Sequence, residues 1–355
     1  MTVVRIFKNF VYLHLLSFNQ FELLSMNYKL LFLTVLLLVF VSCDNKKSSK
    51  QVSQSEPQSN VVRVPDFNAD SAYNFVKKQL DFGPRVPGTM SHARCAEWFI
   101  DFFNKKADTV YVQDFRTRLY DGRGIDGKNI IAVFNPEAKK RIVLAAHWDS
   151  RPFADHDPDE KNWNTPIDGA NDGASGVGII MEIARLLDEN PVNIGVDMIL
   201  FDLEDYGAPH YLNYMSNDDW ALGSQYWSKN PHIRNYRAYF GILLDMVGAP
   251  DPIFPKEYYS QQYASWVSNE VWRVARDLGY TEYFTNELGH PINDDHISMN
   301  LIAKIPTIDI IHLEENDDNG SFYPYWHTLG DNIEQIDSKT LGMVGDVVLN
   351  VIYNN

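Results

Sequence analysis

Apolar residues along the chain follow two patterns, which together predict alternating strands and helices. Continuous runs rich in β-branched residues predict buried strands at 129–134, 142–146, 196–201, 239–244 and 307–311, and an edge strand is expected at 109–112. Apolar residues at helical spacing predict helices starting at Asp70 or Ser71 and at Ser91, and further helices over 176–187, 263–278 and 338–352. This alternation predicts an α/β fold with a central, mostly parallel mixed sheet and helices on both faces.

The beginning of the chain has the pattern of a targeting segment. Residues 30–41 are almost wholly apolar and follow Lys29, but a run of about 12 residues is shorter than the roughly 20 that cross a bilayer. The run fits the apolar region of a secretory signal, and Val41-Ser42-Cys43 resembles a bacterial lipoprotein signal in which Cys43 is lipidated. We therefore predict a signal over residues 1–43. An uncleaved membrane anchor is the alternative.

Two further boundaries follow from composition. Met26 would make a conventional start for the signal, so residues 1–25 are interpreted as an over-extended gene start. Residues 44–61 are polar, rich in Ser, Lys and Gln, and predict a flexible tether. Residues 62–355 show no second linker and no internal repeat, so we expect a single domain there. The predicted product is an exported lipoprotein of the cell envelope, periplasmic or on the cell surface.

Composition narrows the class of protein. The 355 residues are 45% hydrophobic, which excludes disorder as the dominant state. The formal net charge of −16 makes nucleic acid an unsuitable partner, because phosphate binding needs a basic surface. Two cysteines cannot form a disulfide scaffold, and Cys95 alone is left if Cys43 carries a lipid.

Polar side chains follow the predicted strands at their carboxyl ends, where open α/β sheets bind ligands. The segments are 147–150 (HWDS), 202–205 (DLED) and 245–248 (DMVG), joined by the helix-leading segment 169–176 (GANDGASG) and by 326–328 (WHT). One Asp after a strand is usually a turn or a helix cap. Five such segments in one chain indicate a site, and their histidines and carboxylates suit a borderline metal such as zinc.

In combination, these motifs resemble those of the glutaminyl-peptide cyclotransferases, which are related to zinc-dependent aminopeptidases. The resemblance covers about residues 62–352 and rests on HWDS (147–150), GANDGASG (169–176), FDLED (201–205), LLDMVGAP (243–250), NDDH (293–296) and WHTLGDN (326–332). It implies a central mixed sheet flanked by helices, of the zinc aminopeptidase-like and phosphorylase/hydrolase-like class. It also implies that 62–355 is a catalytic domain converting N-terminal Gln of peptides or proteins to pyroglutamate with release of ammonia.

The resemblance assigns a zinc site residue by residue. Asp172, Asp205 and His327 match the ligands of one zinc ion per chain, and Glu204 matches the general acid/base. The family often has Glu at the second acidic position, where this chain has the shorter Asp205. Which of the two adjacent acids contacts the metal therefore stays open at this point.

Further matches surround that site. Asp245 and Asp294 match a catalytic carboxylate network that could raise the pKa of the general acid/base through like-charge repulsion. Trp326 would pack on the substrate side chain, and Asn293 would lie beside it through its backbone. Trp220 is a second candidate for the same pocket, although the match around residues 218–223 is loose.

Two other functions use much of the same sequence. His147 matches a position that holds a second zinc in the aminopeptidases, and the alternative is therefore a two-zinc aminopeptidase. A non-enzymatic surface lipoprotein that binds peptides or glycans is a third hypothesis, against which the complete set of acids and His327 argues. Residues 151–168 are predicted to be an ordered loop near the pocket, with His156 structural or exposed. The acidic run 314–318 is predicted to be a solvated loop.

Overall fold

The computed structural model describes residues 63–212, 214, 216, 218–314 and 322–355. The predicted signal, Cys43, the tether and residues 315–318 of the acidic run lie outside the described residues. Within the described ranges, none of the helices combines the length and the apolar content of a bilayer span.

Eight strands lie within the described ranges, and six of them form the central sheet. In chain order the strands are β1 (Thr109–Arg118), β2 (Gly124–Phe134), β3 (Arg141–His147), β4 (Gly195–Phe201), β5 (Phe240–Asp245), β6 (Phe254–Lys256), β7 (Phe284–Leu288) and β8 (Thr307–Ile311). The sheet order is β1-β2-β4-β3-β5-β8, and β6 pairs with β7 separately. Strands β4, β3, β5 and β8 are mutually parallel, whereas β2 runs antiparallel to both β1 and β4. The predicted mixed, mostly parallel sheet is confirmed.

The described part of the chain contains seven α-helices. They are α1 (Ala69–Leu80), α2 (Met90–Phe103), α3 (Ala174–Glu189), α4 (Leu222–Lys229), α5 (Tyr258–Asp277), α6 (Asp295–Ser298) and α7 (Ser338–Tyr353), and a π-helical turn spans Met299–Ala303. Alternate residues of β3 enter two cores: Leu144 packs with α1, α3 and α7, whereas Val143 packs with Trp227 of α4. Helices therefore cover both faces of the sheet, as the apolar strands require.

Some element boundaries differ from the prediction for local physical reasons. Helix α1 begins one or two residues before the predicted cap, because Asn68 accepts a hydrogen bond from the amide of Ser71 at 3.0 Å. Thr89 caps α2 in the same way. Strands β1 and β2 extend well beyond their apolar runs because they pair along their whole length, from Thr109–Val133 to Arg118–Gly124.

The parallel strands bring the motif residues to one edge. His147 at the end of β3 pairs with Phe201 at the end of β4, directly before Asp202. Asp245 at the end of β5 pairs with Ile311 at the end of β8. The predicted meeting of polar segments at the carboxyl edge of the sheet follows from this register.

Candidate active site

A cavity of about 280 Å³ opens at the carboxyl edge of the sheet. Nine of the residues predicted from the sequence line it, namely Asp172, Glu204, Asp205, Trp220, Asp245, Asn293, Asp294, Trp326 and His327. The tenth, His147, lies directly behind this lining, with its Nε2 atom 3.0 Å from Asp172 Oδ1. The structure therefore brings all the predicted site residues together.

Three of these side chains present ligand atoms to a common point. Atoms of Asp172, Asp205 and His327 lie within 4.8 Å of one another. His327 Nε2 is 3.1 Å from Asp205 Oδ1 and 3.6 Å from Asp172 Oδ2. All three residues are buried, and Asp205 Oδ2 has no hydrogen-bond partner among the described residues. Two carboxylates and an imidazole fit the donor set of a catalytic zinc, which leaves a fourth position for substrate or water.

Two buried carboxylates hold the backbone around these groups. Asp149 accepts hydrogen bonds from the amides of Glu204 at 3.1 Å and Asp205 at 3.2 Å. Asp331 accepts the amide of Asn171 at 2.8 Å and that of Asp172 at 3.2 Å. Burial, followed by the charge of Asp172, raises the pKa of Asp331 to about 7. The loops that carry both candidate carboxylate ligands are thus fixed through their main chains.

A buried ion pair lies behind His327. Arg151 binds both oxygens of Asp155, at 2.7 and 2.8 Å, and Asp155 Oδ1 lies 3.5 Å from His327 Nδ1. Burial alone would raise the pKa of Asp155, but Arg151 and His327 together hold it well below the ordinary value. Arg151 also donates to the carbonyl oxygen of Asp205 at 3.0 Å. The Asp155 carboxylate therefore faces Nδ1 and leaves Nε2 of the imidazole for the metal position.

Sequence reasoning missed the roles of Arg151 and Asp155. Both fall in the segment 151–168, for which only an ordered loop near the pocket was predicted, and both are almost completely buried. An Arg directly after the HWDS motif and an Asp four residues later were the available signal. His156 is half-buried, with its ring centroid 4.5 Å from that of Trp326, and burial lowers its pKa to about 4.

His147 occupies the predicted second-metal position. Its Nε2 atom lies 3.0 Å from Asp172 Oδ1 and 3.2 Å from Asp245 Oδ1, and candidate ligand atoms of these three residues lie within 4.8 Å of one another. A Cβ atom at residue 173 would lie 2.5 Å from His147 Nε2. Gly173, the middle of the three glycines in GANDGASG, is therefore required by its close approach to the imidazole.

The three predicted catalytic carboxyls are buried acids. Burial raises the pKa of Glu204 well above its ordinary value, and the charges of Asp294 and Asp205 add to that shift while His147 opposes it. Burial also raises the pKa of Asp294, and it raises that of Asp245 to about 7. Carboxyls with raised pKa values are suited to proton transfer.

Aromatic rings also line the cavity. The ring of Trp326 stacks on His327 with centroids 3.6 Å apart, and Phe322 lies against Trp326 at 4.4 Å. Trp220 is parallel to the His327 ring at 6.1 Å, and the Arg151 guanidinium lies 4.7 Å from its centroid. Both tryptophans are only partly buried and line the cavity. They are available to pack on a bound side chain.

The charge of the lining limits the ligands that the cavity accepts. Five carboxyl side chains and no Lys or Arg are among the described residues that line it. The field of these carboxyls attracts a peptide α-amine. The geometry therefore fits the amino end of a peptide held beside a metal ion.

Comparison with known proteins agrees with this geometry. The model of peptidase family M28 matches residues 129–352. The glutaminyl-peptide cyclotransferase of Bothrops jararaca is 30% identical over 252 residues, which cover 62% of this chain and 63% of that protein. The chain thus spans less than two thirds of the length of this curated relative.

Solved structures are similar over nearly the whole described region. A Zn-dependent exopeptidase from Parabacteroides distasonis is 48% identical with a TM-score of 0.81, covering 82% of this chain and 100% of that one. The glutaminyl cyclase of Bacteroides thetaiotaomicron bound to N-acetylhistamine is 49% identical with a TM-score of 0.79, with the same coverage. The chain therefore belongs to peptidase family M28.

Proposed function

We propose that the protein is a zinc-dependent glutaminyl-peptide cyclotransferase, which converts the N-terminal Gln of peptides or proteins to pyroglutamate and releases ammonia. One observation carries the proposal: Glu204, a buried acid with a raised pKa, lines the same cavity as three converging ligand side chains, and the described residues of that lining include no Lys or Arg. The similarity to glutaminyl cyclases over entire solved chains supports this activity.

Asp172, Asp205 and His327 would hold one zinc ion per chain. The position of Asp205, 3.1 Å from His327 Nε2, favours it over Glu204 as the ligand from this adjacent pair. When bound, zinc supplies Lewis-acid polarisation of the γ-carboxamide carbonyl. Glu204 is then left free for proton transfer.

Proton transfer is assigned to Glu204. The α-amine of the substrate attacks its own γ-carboxamide carbon, so the nucleophile is tethered and proximity lowers the barrier. Glu204 takes the proton that the amine loses as the new C–N bond forms. It returns a proton to the γ-nitrogen as the old C–N bond breaks and ammonia leaves. Asp245 and Asp294 are assigned to the surrounding network that keeps this carboxyl protonatable.

Substrate positioning is assigned to the lining beside these carboxyls. Trp326 and Trp220 would pack against the methylene groups of the glutamine side chain, and Asn293 would contact the substrate through its backbone. The cavity volume of about 280 Å³ is at the lower end of the range for ligand pockets. We infer that the peptide beyond the first residue extends out of the pocket.

An aminopeptidase of the same family is the second candidate. The group formed by His147, Asp172 and Asp245 favours this candidate, because the group offers a second metal position. The two candidates differ in metal content and in substrate choice. We expect one zinc per chain by elemental analysis, together with turnover of a Gln-initiated peptide but not of its Leu-initiated counterpart. Two zinc ions and release of the first residue from both peptides would identify the aminopeptidase.

Export to the cell envelope and lipidation of Cys43 complete the proposal. Both depend on the signal-like pattern of residues 1–43. Labelling of cells with a clickable fatty acid should mark the wild-type chain and should not mark Cys43→Ser. Equal labelling of both chains would contradict attachment through Cys43.

A further inference from the structure

A buried acid that the proposed mechanism leaves unused lies beneath the cavity. Asp309 is the central residue of β8 and has no exposed surface. It pairs with Leu243, two residues before the pair of Asp245 with Ile311. Because side chains alternate along a strand, Asp309 and the pocket residue Ile311 are on the same face of the sheet. Asp309 is thus the neighbour of the cavity-lining residue Ile311 on that face of β8, and it lies further from the end of the strand.

Asp309 faces another acid, Asp294, and a carboxyl oxygen of each lies within 4.8 Å of the other. The described structure provides no N–H or O–H donor for either oxygen of Asp309 or for Asp294 Oδ2, and all three atoms are buried. The second oxygen of Asp294 accepts the amide of Asp295. An ionised carboxyl is an acceptor only, so two carboxyls can bond to each other only when one of them carries a proton.

The nearest other groups do not supply that proton. His296 Nδ1 lies 3.9 Å from Asp309 Oδ2, which is beyond hydrogen-bond distance, and its Nε2 atom lies 3.2 Å from Glu257 Oε2. The amide of Asp309 donates to Ser260 Oγ at 2.9 Å, whose hydroxyl is itself directed to Glu257 at 2.8 Å. The proton between the two aspartates must therefore belong to one of them.

The surroundings decide which acid is protonated. Glu257 accepts three backbone amides, from Tyr259, Ser260 and Ile292, as well as the Ser260 hydroxyl, and these donors favour its charged form. Asp294 has one amide donor and lies at the cavity, whereas Asp309 receives none. The groups that face Asp309 are Asp294 and His296 at α6, Glu257 at the start of α5, and Asp245 on β5. Three of the four are acids, so the least solvated member of the group is the neutral one.

We propose that Asp309 is a positioning residue that stays protonated and donates its hydrogen bond to Asp294, which holds that carboxylate toward the cavity beside Glu204. The proposal rests on the proposed function, in which Asp294 belongs to the carboxyl network of the reaction. Glu257 supports the same wall from behind, because it accepts the amide of Ile292, a residue that lines the cavity.

Two substitutions separate donation from packing. Asp309→Asn keeps the shape and an N–H donor, whereas Asp309→Leu keeps a similar volume and removes the donor. We expect D309N to retain kcat within about threefold and D309L to lose kcat about 10- to 100-fold with KM and zinc content unchanged. Thr307→Val, which changes a buried side chain on the same face of the same strand, is the control and should keep the wild-type kcat. Equal kcat values for D309N and D309L would overturn the proposal.

An infrared measurement tests the proton itself without depending on turnover. The difference spectrum between the zinc-loaded wild type and D309N at neutral pH should show the loss of one protonated carboxylic acid C=O band, and T307V should show none. An unchanged acid band in D309N would overturn the proposal even where D309L fails to fold. A protein that shows the band loss but releases no ammonia from Gln peptides would instead contradict the proposed function.

Discussion

The carboxylate of Asp149 accepts the backbone amide of Glu204 at 3.1 Å, and its second oxygen accepts the next amide of the chain, that of Asp205, at 3.2 Å. One completely buried side chain therefore sets the position of both the proposed proton-transfer group and a proposed zinc ligand. This relationship is part of the reason that two adjacent acids can have different roles. Their shared backbone is fixed, and their side chains diverge from it.

Asp149→Asn tests this relationship, because an amide has one acceptor oxygen in place of two. We expect zinc affinity and kcat to fall about 10- to 100-fold, since one of the two amides loses its acceptor. The exposed Asp101→Asn makes the same chemical change on helix α2 and should alter neither quantity. Zinc titration and steady-state kinetics measure both effects, and wild-type values for D149N would remove Asp149 from the account.

Glu204→Gln tests the proton-transfer role. The amide has the shape of the acid but cannot carry a proton between amine and leaving group, so kcat should fall by about 10²- to 10⁴-fold. Zinc content should stay at the wild-type value, because Asp172, Asp205 and His327 are unchanged. The exposed Glu334→Gln is the matched control. Full turnover by E204Q would exclude the role.

His327→Ala tests the ligand set. Loss of one of three protein ligands should abolish both stoichiometric zinc binding and turnover. Asp155→Asn, which keeps the ligand but weakens the group facing His327 Nδ1, should lower zinc affinity by a smaller amount. Normal zinc content in H327A, measured by elemental analysis after dialysis, would show that the metal is held elsewhere.

His232 should make the free energy of unfolding depend on pH, independently of the active site. Its Nδ1 atom accepts a hydrogen bond from Trp227 at 3.1 Å, and burial lowers its pKa to about 4. Between about pH 6.5 and pH 4 the unfolded chain binds a proton at this residue and the native protein does not, so the free energy of unfolding decreases as the pH falls through that range.

His232→Asn keeps an acceptor but does not titrate, and it should therefore lose less stability in the same range. The difference reaches at most about 3 kcal/mol, the amount that corresponds to the change in pKa. Urea unfolding of wild type and H232N at both ends of the range measures it. Parallel losses in the two proteins would contradict the assignment.

Much of the fold follows from the sequence because the central strands are buried on both faces. The run 307–311 has the predicted bounds, since its residues are all apolar or enclosed. Strand β2 begins at Gly124 instead of Asn129, because its first residues are held by pairing with β1 and carry no apolar pattern. Helix α4 and the short strands β6 and β7 were not predicted at all. They are short, and tertiary packing decides their structure.

The residues of the site also fall into a group that the sequence predicts and a group that it does not. Residues at the ends of strands were found because the carboxyl edge of a sheet is a known place for ligands, and Glu204, Asp205 and Asp245 of these line the cavity. Arg151 and Asp155 were missed because their function depends on a pair contact that a loop segment does not display. Asp309 was missed because one polar residue inside an apolar run does not show which neighbour it meets.

The proposed reaction breaks the γ-carboxamide C–N bond of the first residue and leaves every peptide bond intact, so the mass of the product of a Gln-initiated peptide tests it. The purified protein, loaded with zinc, is incubated with such a peptide, and the product is analysed by mass spectrometry beside a sample with E204Q. The account predicts one product, lighter than the substrate by one molecule of ammonia and with every peptide bond intact. A product shortened by its first residue, together with free glutamine, would contradict it.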